Sequence, residues 1–371
     1  MRWTSQQLNQ PLPLQDGSAP EPAAALPLLP LAGLLKSVQT PEFADITFHE
    51  VLSKSALNKV PASSSMPFEW TVNPYRGCSH ACVYCFARKS HTYLDFDPGL
   101  DFDSQVVVKV NVAQVLRAEL MKPTWQRHHV ALGTNTDPYQ RAEGRYQLMP
   151  GIIAALADSG TPFSILTKGT LLARDLPELR RAAQDVSVGM GISLALLNED
   201  LAHAIEPGTP SPKARLALIA KLRDAGLPCG VMAMPILPWL SDSDEALDAL
   251  FGALARAGAT GVTAGALYLR PGTRDWFMHW LAREHPALVG RYRRLYEHGS
   301  YAAKEYRQWL AGKINEAKAR HGFGTQAFVH DPKAEEARYP AGSLPTTVRG
   351  VRKAGTPQGI PAFREGPATL F

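Results

Sequence analysis

The sequence has few cysteines, no long apolar run and no large excess of charge of either sign. Four cysteines among 371 residues are too few for a scaffold built on disulfides. There is no run of about 18 apolar residues, the length that predicts a transmembrane helix. The apolar stretch over residues 26–35 is interrupted by Pro27 and Pro30 and lacks the basic leader of a signal peptide. We therefore expect a cytoplasmic protein that has no membrane association.

Both ends of the sequence have the composition of disordered chain. The first 40 residues contain six prolines, and the last 41 contain eleven prolines and glycines, without a sustained apolar pattern. We predict a disordered leader over residues 1–42 and a flexible tail over residues 326–371. The compact part between them divides into a main domain over 43–272 and a helical C-terminal extension over 273–325.

Short apolar or β-branched runs alternate with helical segments through the main domain. Strands are predicted at residues 68–73, 105–110, 129–135, 163–168, 186–195, 229–236 and 262–269. This alternation predicts parallel strands joined by right-handed crossovers. About six such units are too few for a complete eight-stranded barrel. The first expectation is an α/β fold with a partial (β/α)6 TIM-like barrel, and a doubly wound open sheet is the alternative.

Polar side chains follow several of these predicted strands. In both architectures the functional site lies at the carboxyl ends of the strands, so these side chains are expected to share one pocket. They are Thr134, Asn135, Thr136, Asp137, Lys168, Ser193 and Arg270.

Three of the four cysteines lie within eight residues, at Cys78, Cys82 and Cys85. Packed thiols are one interpretation of this CxxxCxxC spacing, and a zinc site completed by His80 or His91 is another. Structural zinc usually draws its ligands from two separated pairs, and the sequence has no second pair. An iron–sulfur cluster is the favoured interpretation. Three cysteines leave one iron of a 4Fe–4S cluster without a protein ligand, which suggests that a substrate or cosubstrate binds there.

The fourth cysteine, Cys229, begins a predicted strand. It therefore lies at the end of the barrel opposite the predicted site, and we expect it to be a core residue.

At the cysteine motif the sequence resembles the radical S-adenosylmethionine (SAM) enzymes, whose hallmark is CxxxCxxC with an aromatic residue, here Tyr84, directly before the third cysteine. More specifically, it resembles the spore photoproduct lyase-like branch, also described as DNA repair photolyase-like. Five segments over residues 43–325 carry this likeness: NPYRGCSHACVYCFAR, LGTNTDPYQRAE, ILTKGTLLARDL, IEPGTPSPKARL and PILPWLSD. The resemblance implies a partial (β/α)6 barrel, as the strand pattern does independently.

The resemblance also implies the cofactors and the reaction type. Cys78, Cys82 and Cys85 would bind a 4Fe–4S cluster whose open iron chelates SAM. Reductive cleavage of SAM would give a 5′-deoxyadenosyl radical that abstracts hydrogen from an unknown substrate. DNA or RNA is a candidate substrate, and an electron donor such as flavodoxin or ferredoxin is expected. A non-catalytic zinc- or iron–sulfur-binding module remains the alternative function.

Four further residues match positions that contact SAM in the family. Tyr84 corresponds to the position whose backbone contacts the adenine. By their places at strand ends, Thr136, Lys168 and Ser193 resemble the groups that hold the methionine moiety. A lysine ammonium suits a carboxylate, and hydroxyl groups can hydrogen-bond to the carboxylate or to the ribose.

Two positions depart from the pattern of true spore photoproduct lyases. Those enzymes have a hydrogen-donating cysteine shortly before an Asp in the loop after the next barrel strand, where this sequence has Thr134, three residues before Asp137. They also have a tyrosine directly after the third cluster cysteine, where this sequence has Phe86. A threonine O–H bond is too strong to donate hydrogen readily to a carbon radical. The sequence therefore predicts radical SAM chemistry without photoproduct lyase activity, unless Cys229 or a tyrosine such as Tyr84, Tyr139 or Tyr268 serves as the hydrogen donor.

Nucleic acid as a partner is compatible with the charge but is not required by it. The net charge of +5 is mild. Residues 291–320 carry eight Lys or Arg against three Asp or Glu, interleaved with aromatic residues. Such a segment either binds phosphates and stacks on bases, or packs its aromatic side chains on the barrel with its charges in solvent. The second interpretation is favoured.

Overall fold

The computed structural model describes residues 31–61, 64 and 66–324. The strands within these residues are β1 (Leu34–Val38), β2 (Thr47–Val51), β3 (Leu57–Lys59), β4 (Trp70–Val72), β5 (Tyr75–Arg76), β6 (Gln105–Lys109), β7 (Val130–Leu132), β8 (Phe163–Thr167), β9 (Val188–Ser193), β10 (Cys229–Ile236) and β11 (Gly261–Ala266). The α-helices are α1 (Leu100–Ser104), α2 (Val112–Leu120), α3 (Ala142–Tyr146), α4 (Met149–Asp158), α5 (Leu176–Asp185), α6 (Glu199–Ile205), α7 (Pro212–Asp224), α8 (Asp244–Ala257), α9 (Thr273–Glu284), α10 (Val289–Leu295) and α11 (Lys304–Arg320).

The main sheet has seven strands in the order β11-β10-β9-β8-β7-β4-β3. Its six strands from β4 to β11 are parallel, and β3 adds an antiparallel edge. Each new strand is added on the same side of the one before it, whereas a doubly wound sheet reverses direction at a switch point. The order therefore confirms the partial (β/α)6 barrel and excludes the doubly wound alternative.

Local sequence signals set the crossover helices. Helix α8 begins after Ser243, whose hydroxyl accepts a hydrogen bond from the Ala246 N–H at 3.1 Å. It ends at Gly258, which has a φ of 89° and is the left-handed residue that commonly closes a helix. Helix α7 starts in the same way, with Ser211 as the cap and Pro212 as the first helical residue.

A second sheet in the order β1-β2-β6-β5 stands beside the barrel. The predicted strand over residues 105–110 exists as β6, but it pairs with β2 and β5 and not with the barrel strands. Strand β1 lies within residues 1–42, where we expected a disordered leader; residues 1–30 and the predicted tail over 326–371 lie outside the described residues. Strand β5 runs directly into Gly77 and the cysteine segment, so this sheet supports the start of that segment.

The C-terminal extension is helical over α9, α10 and α11, as expected. Two of its aromatic residues, Tyr292 and Tyr296, are fully buried. Their hydroxyl groups donate to the carbonyls of Pro238 at 2.8 Å and Leu267 at 2.7 Å, just beyond the ends of β10 and β11. These tyrosines therefore attach the extension to the barrel, as the favoured interpretation of this segment predicts. No helix among the described residues is long and apolar enough to cross a membrane.

Candidate cofactor site at the cysteine loop

The three clustered cysteines lie on a loop that follows β5 and packs against the carboxyl ends of the barrel strands. This cysteine loop, defined as residues 77–85, turns sharply at Gly77, which has a φ of 80°. A Cβ atom on Gly77 would lie 2.9 Å from the Gln105 carbonyl oxygen. Cys78 and Cys82 are buried, and all four cysteines of the chain have free thiols. The loop thus holds three unbridged thiols in a fixed, protected segment.

The thiols of the loop interact electrostatically. Burial raises the pKa of Cys82 well above its usual value, and Cys85 and Cys78 raise it further. Burial likewise raises the pKa of Cys85 to about 11, with a further contribution from Cys78. Among the described residues, no three His, Cys, Asp or Glu side chains are grouped around a position for a single metal ion. In a cluster each cysteine ligates its own iron, so three sulfurs need not converge on one point.

Residues after β7 hold one side of the cysteine loop. The Thr136 hydroxyl donates to the Gly77 carbonyl at 2.7 Å, and the Gln140 side-chain amide donates to the same oxygen at 3.0 Å. The Ser79 N–H donates back to the Gln140 side-chain oxygen at 2.9 Å. Thr136 therefore contacts the loop backbone and does not join the other three residues predicted to contact SAM.

An ion pair reinforces this attachment. His80 Nδ1 lies 3.3 Å from Asp137 Oδ2. Burial lowers the pKa of His80, but Asp137 and Cys78 outweigh it and raise the pKa to about 10. Burial alone would raise the pKa of Asp137, yet His80 keeps it below its usual value. The imidazolium and the carboxylate are thus both charged, and Asp137 also accepts the Lys168 N–H at 2.7 Å.

The segment after α6 holds the other side of the loop. The Val83 N–H donates to the Ile205 carbonyl at 2.9 Å, and the Gly208 N–H donates to the His80 carbonyl at 3.1 Å. The backbones approach so closely that a Cβ atom on Gly208 would lie 1.9 Å from the Ser79 carbonyl oxygen. Glycine is the one residue that this approach admits.

Tyr84, Lys168 and Ser193 come together beside Cys82. The Lys168 ammonium donates to the Ser193 hydroxyl at 2.9 Å and lies 5.6 Å from the centre of the Tyr84 ring. Burial lowers the pKa of Lys168, but Cys82 and Glu206 raise it, and the net shift is upward. The site therefore keeps a positive charge at the ends of β8 and β9, next to a cysteine of the loop.

Two charged residues of this site had no role in the sequence analysis. Glu206 accepts a hydrogen bond from the Tyr84 hydroxyl and lies 3.8 Å from the Lys168 ammonium. Arg215 pairs with Glu206 at 2.8 Å. Both residues lie in the segment IEPGTPSPKARL, which carried the family resemblance without a residue-level role. The two charged residues at the ends of this Pro- and Gly-rich stretch were visible in the sequence. Their contact with Tyr84 was not, because Tyr84 is too distant in the sequence to be inferred as a partner.

The remaining sequence candidates lie apart from this cluster. The Thr134 hydroxyl donates to the Asn73 side-chain oxygen at 3.3 Å, and the Asn135 N–H donates to the same oxygen at 3.2 Å. Cys229 is the first residue of β10 and is 1% exposed. Burial raises its pKa to about 12, which is consistent with its expected place in the core.

Comparisons with known proteins agree with this fold. The radical SAM superfamily matches residues 72–250. An uncharacterised protein of Mycobacterium tuberculosis is 58% identical over 341 residues, covering 92% of this chain and 98% of its own. An uncharacterised protein of Acidianus two-tailed virus is 29% identical over 209 residues, covering 54% of this chain and 68% of its own.

Solved structures of spore photoproduct lyase share the fold. The enzyme complexed with dinucleoside spore photoproduct has a TM-score of 0.55 and 15% identity, covering 74% of this chain and 79% of its own. A variant with bound AdoMet and dinucleoside spore photoproduct has a TM-score of 0.54 and 16% identity, covering 70% and 76%. These structures show the fold, and the family match over residues 72–250, which include the cysteine loop and most of the barrel, identifies this part of the chain as a member of the radical SAM superfamily.

Proposed function

We propose that this protein reductively cleaves SAM at a 4Fe–4S cluster held by Cys78, Cys82 and Cys85, and uses the resulting 5′-deoxyadenosyl radical to abstract hydrogen from a substrate. The observation that carries the proposal is the position of the three free thiols beside Lys168, whose side chain is 14% exposed, at the carboxyl ends of the barrel strands. Free thiols that await iron require a reducing environment, so a cytoplasmic location belongs to the proposal.

The donor set fits the cluster that the superfamily implies. Three thiols on one loop are the ligand type that iron–sulfur clusters use, and the loop is hydrogen-bonded on both sides. When bound, the cluster supplies the electron that breaks the sulfonium C–S bond. The protein has to position the reacting atoms and exclude water, which is the usual division of work in cofactor enzymes. Burial of Cys78 and Cys82 supports that role for the loop.

Three side chains are proposed to hold SAM itself. The Lys168 ammonium would pair with the carboxylate of the methionine moiety, and the Ser193 hydroxyl, 2.9 Å from it, would hydrogen-bond to the same group or to the ribose. The backbone at Tyr84 would contact the adenine. Thr136, the fourth candidate, would act through the loop, because its hydroxyl binds the Gly77 carbonyl.

Nucleic acid is the proposed substrate class, with a reaction other than photoproduct repair. The fold similarity to an enzyme complexed with a dinucleoside photoproduct supports nucleic acid as the substrate class. Two arginines also lie over aromatic rings beside the barrel end: the guanidinium of the exposed Arg291 is 4.2 Å from the Trp239 ring centre, and that of the half-buried Arg307 is 5.6 Å from the Tyr301 ring centre. Thr134, in place of the donor cysteine, supports a reaction other than photoproduct repair. A flavodoxin or ferredoxin would supply the electron.

Anaerobic reconstitution tests the proposal. The wild-type protein should bind about four irons per chain and show the broad visible absorbance of an iron–sulfur cluster. It should convert SAM to 5′-deoxyadenosine when dithionite is added. Cys82→Ser should lose both properties, and Cys229→Ala should keep them. Deoxyadenosine formation that survives Cys82→Ser would refute the assignment.

The substrate is tested with deuterated DNA and RNA. Transfer of deuterium into 5′-deoxyadenosine identifies which of the two polymers loses hydrogen. Transfer from neither polymer, under conditions where SAM is cleaved, would remove nucleic acid from the proposal and leave the radical chemistry intact.

A further inference from the structure

The Glu206–Arg215 ion pair connects three of the residues proposed to contact SAM. One carboxylate oxygen of Glu206 accepts the Tyr84 hydroxyl and lies 3.8 Å from the Lys168 ammonium, while the other lies 2.8 Å from the Arg215 guanidinium. Arg215 also donates to the Ser193 carbonyl at 3.0 Å. The pair thus touches a residue of the cysteine loop, the residue that follows β8 and the last residue of β9.

Both members of the pair are almost fully buried. The side chains of Glu206 and Arg215 are 2% and 1% exposed, and that of Lys168 is 14% exposed. Burial would raise the pKa of Glu206, but Arg215 and Lys168 lower it below its usual value. A buried ion pair adds little to stability compared with apolar side chains of the same volume. A positioning role accounts better for two charges at this place.

Glu206 alone does not neutralise its two cationic neighbours. Lys168 and Arg215 carry two positive charges, and Glu206 carries one negative charge. One carboxylate oxygen of Glu206 pairs with the Arg215 guanidinium at 2.8 Å. The Lys168 ammonium lies 3.8 Å from the other oxygen, which is too far for a good hydrogen bond. Lys168 is therefore held in place and can still accept a second anionic partner, such as a ligand carboxylate.

We infer that Glu206 and Arg215 are positioning residues: they fix the Lys168 ammonium for the carboxylate of SAM and, by holding the Tyr84 hydroxyl, fix the Tyr84 backbone for the adenosine. This inference rests on the proposed function. Neither residue needs to touch SAM, because each acts through a neighbour. Removing the negative charge of Glu206 lets the ammonium and the guanidinium repel each other, so Lys168 leaves the position where the carboxylate binds.

Glu206→Gln tests the inference, and Glu143→Gln is its matched control. Glu143 is also fully buried and also joins a tyrosine to an arginine, with the Tyr75 hydroxyl at 2.5 Å and Arg174 at 2.7 Å. Both variants are expected to lower thermal stability, which a merely structural role would also do. Glu206→Gln alone should raise the dissociation constant for SAM, by about 10- to 100-fold, the usual effect of losing a residue that orients a ligand-binding group.

The measurement is equilibrium binding of SAM to the cluster-loaded protein, together with its iron content and the electron paramagnetic resonance spectrum of the reduced cluster. Iron content and the spectrum without SAM should match the wild type. The change in the spectrum that SAM causes should need a correspondingly higher concentration. Arg215→Lys, which keeps the charge, should recover part of the affinity that Arg215→Met loses.

The outcomes separate this inference from the proposed function. If the wild type neither binds nor cleaves SAM, the proposed function fails and the inference fails with it. If the wild type does both, and Glu206→Gln binds SAM with wild-type affinity, the inference alone is overturned. The same conclusion follows if Glu143→Gln weakens SAM binding as much as Glu206→Gln does, because the effect then reports stability.

Discussion

Gly208 is the position where a single added methyl group should disconnect the cysteine loop from the barrel. Its Cβ would lie 1.9 Å from the Ser79 carbonyl oxygen and 3.0 Å from the His80 Cα. Both neighbours are backbone atoms of the loop that carries Cys78 and Cys82, so no side-chain rotation relieves the contact. The loop has to retreat by about 1.5 Å to restore an ordinary contact distance, and the Gly208 hydrogen bond to His80 is lost with it.

A displacement of this size should affect the metal site more than the fold. Overpacking of this kind costs about 1–3 kcal/mol of stability, and misplacing a reactive group by about 1 Å can reduce a rate by about 100-fold. We expect Gly208→Ala to fold, to retain less than half of the wild-type iron after reconstitution, and to form little 5′-deoxyadenosine. Iron and sulfide per chain, with urea unfolding of the same sample, measure both effects.

Gly312→Ala is the matched control for this substitution. Gly312 lies within α11 and a Cβ there meets no atom within 4 Å, so alanine should add about 0.5–1 kcal/mol of stability through its helix preference and leave iron binding unchanged. Gly208→Ala protein that binds iron and unfolds as the wild type does would show that the loop yields to the methyl group. The close approach would then have no bearing on the cysteines.

Three further experiments test individual buried groups. Burial lowers the pKa of His91 to about 4, so the unfolded chain binds the proton first as the pH falls. Between about pH 7 and about pH 5, the free energy of unfolding measured by urea titration should therefore drop by ~2 kcal/mol more for the wild type than for His91→Gln. An equal pH dependence of the two free energies would contradict this. Arg88 is fully buried, donates to the Cys82 carbonyl at 3.0 and 3.1 Å and pairs with Asp103 at 2.9 Å. Arg88→Met leaves the Asp103 carboxylate without this partner and should lose about 3–5 kcal/mol of stability. A midpoint of urea unfolding within experimental error of the wild type would refute that. The Cys229 thiol is buried and its pKa is raised to about 12, so in the folded protein it should resist alkylation by iodoacetamide until urea unfolds the chain; rapid labelling of Cys229 in native protein would show that it is accessible.

The sequence predicted the barrel because its signals are local and repeated. Alternating apolar and helical runs report strands and crossovers without knowledge of their neighbours. The same patterns could not show which sheet β6 belongs to. Its sequence, Gln105–Lys109, has the valine-rich pattern that suits a barrel strand and a strand of the second sheet equally well. Pairing with β2, more than 50 residues earlier, decided its place.

The site was predictable where one stretch of chain contains it or where the strand-end rule applies. Lys168 and Ser193 follow that rule and lie 2.9 Å apart. Thr136 follows it too, yet its hydroxyl is taken up by the Gly77 carbonyl. The rule gives the edge of the sheet where a side chain lies and carries no information about which acceptor is nearest to it.

What the sequence determined by itself is the number and spacing of the thiols and the parallel order of the strands. The thiol spacing depends on a few residues, and the parallel order depends on the helical crossovers between successive strands. Tertiary structure alone decided which polar and charged side chains lie beside those thiols. Tyr84 and Glu206 are 122 residues apart, and the sequence of neither segment indicates that they are in contact. The physical reason is that a buried carboxylate is stabilised by partners from wherever the fold brings them. The pairing of Glu206 with Arg215, beside Lys168, therefore became visible only when the strands and helices were packed.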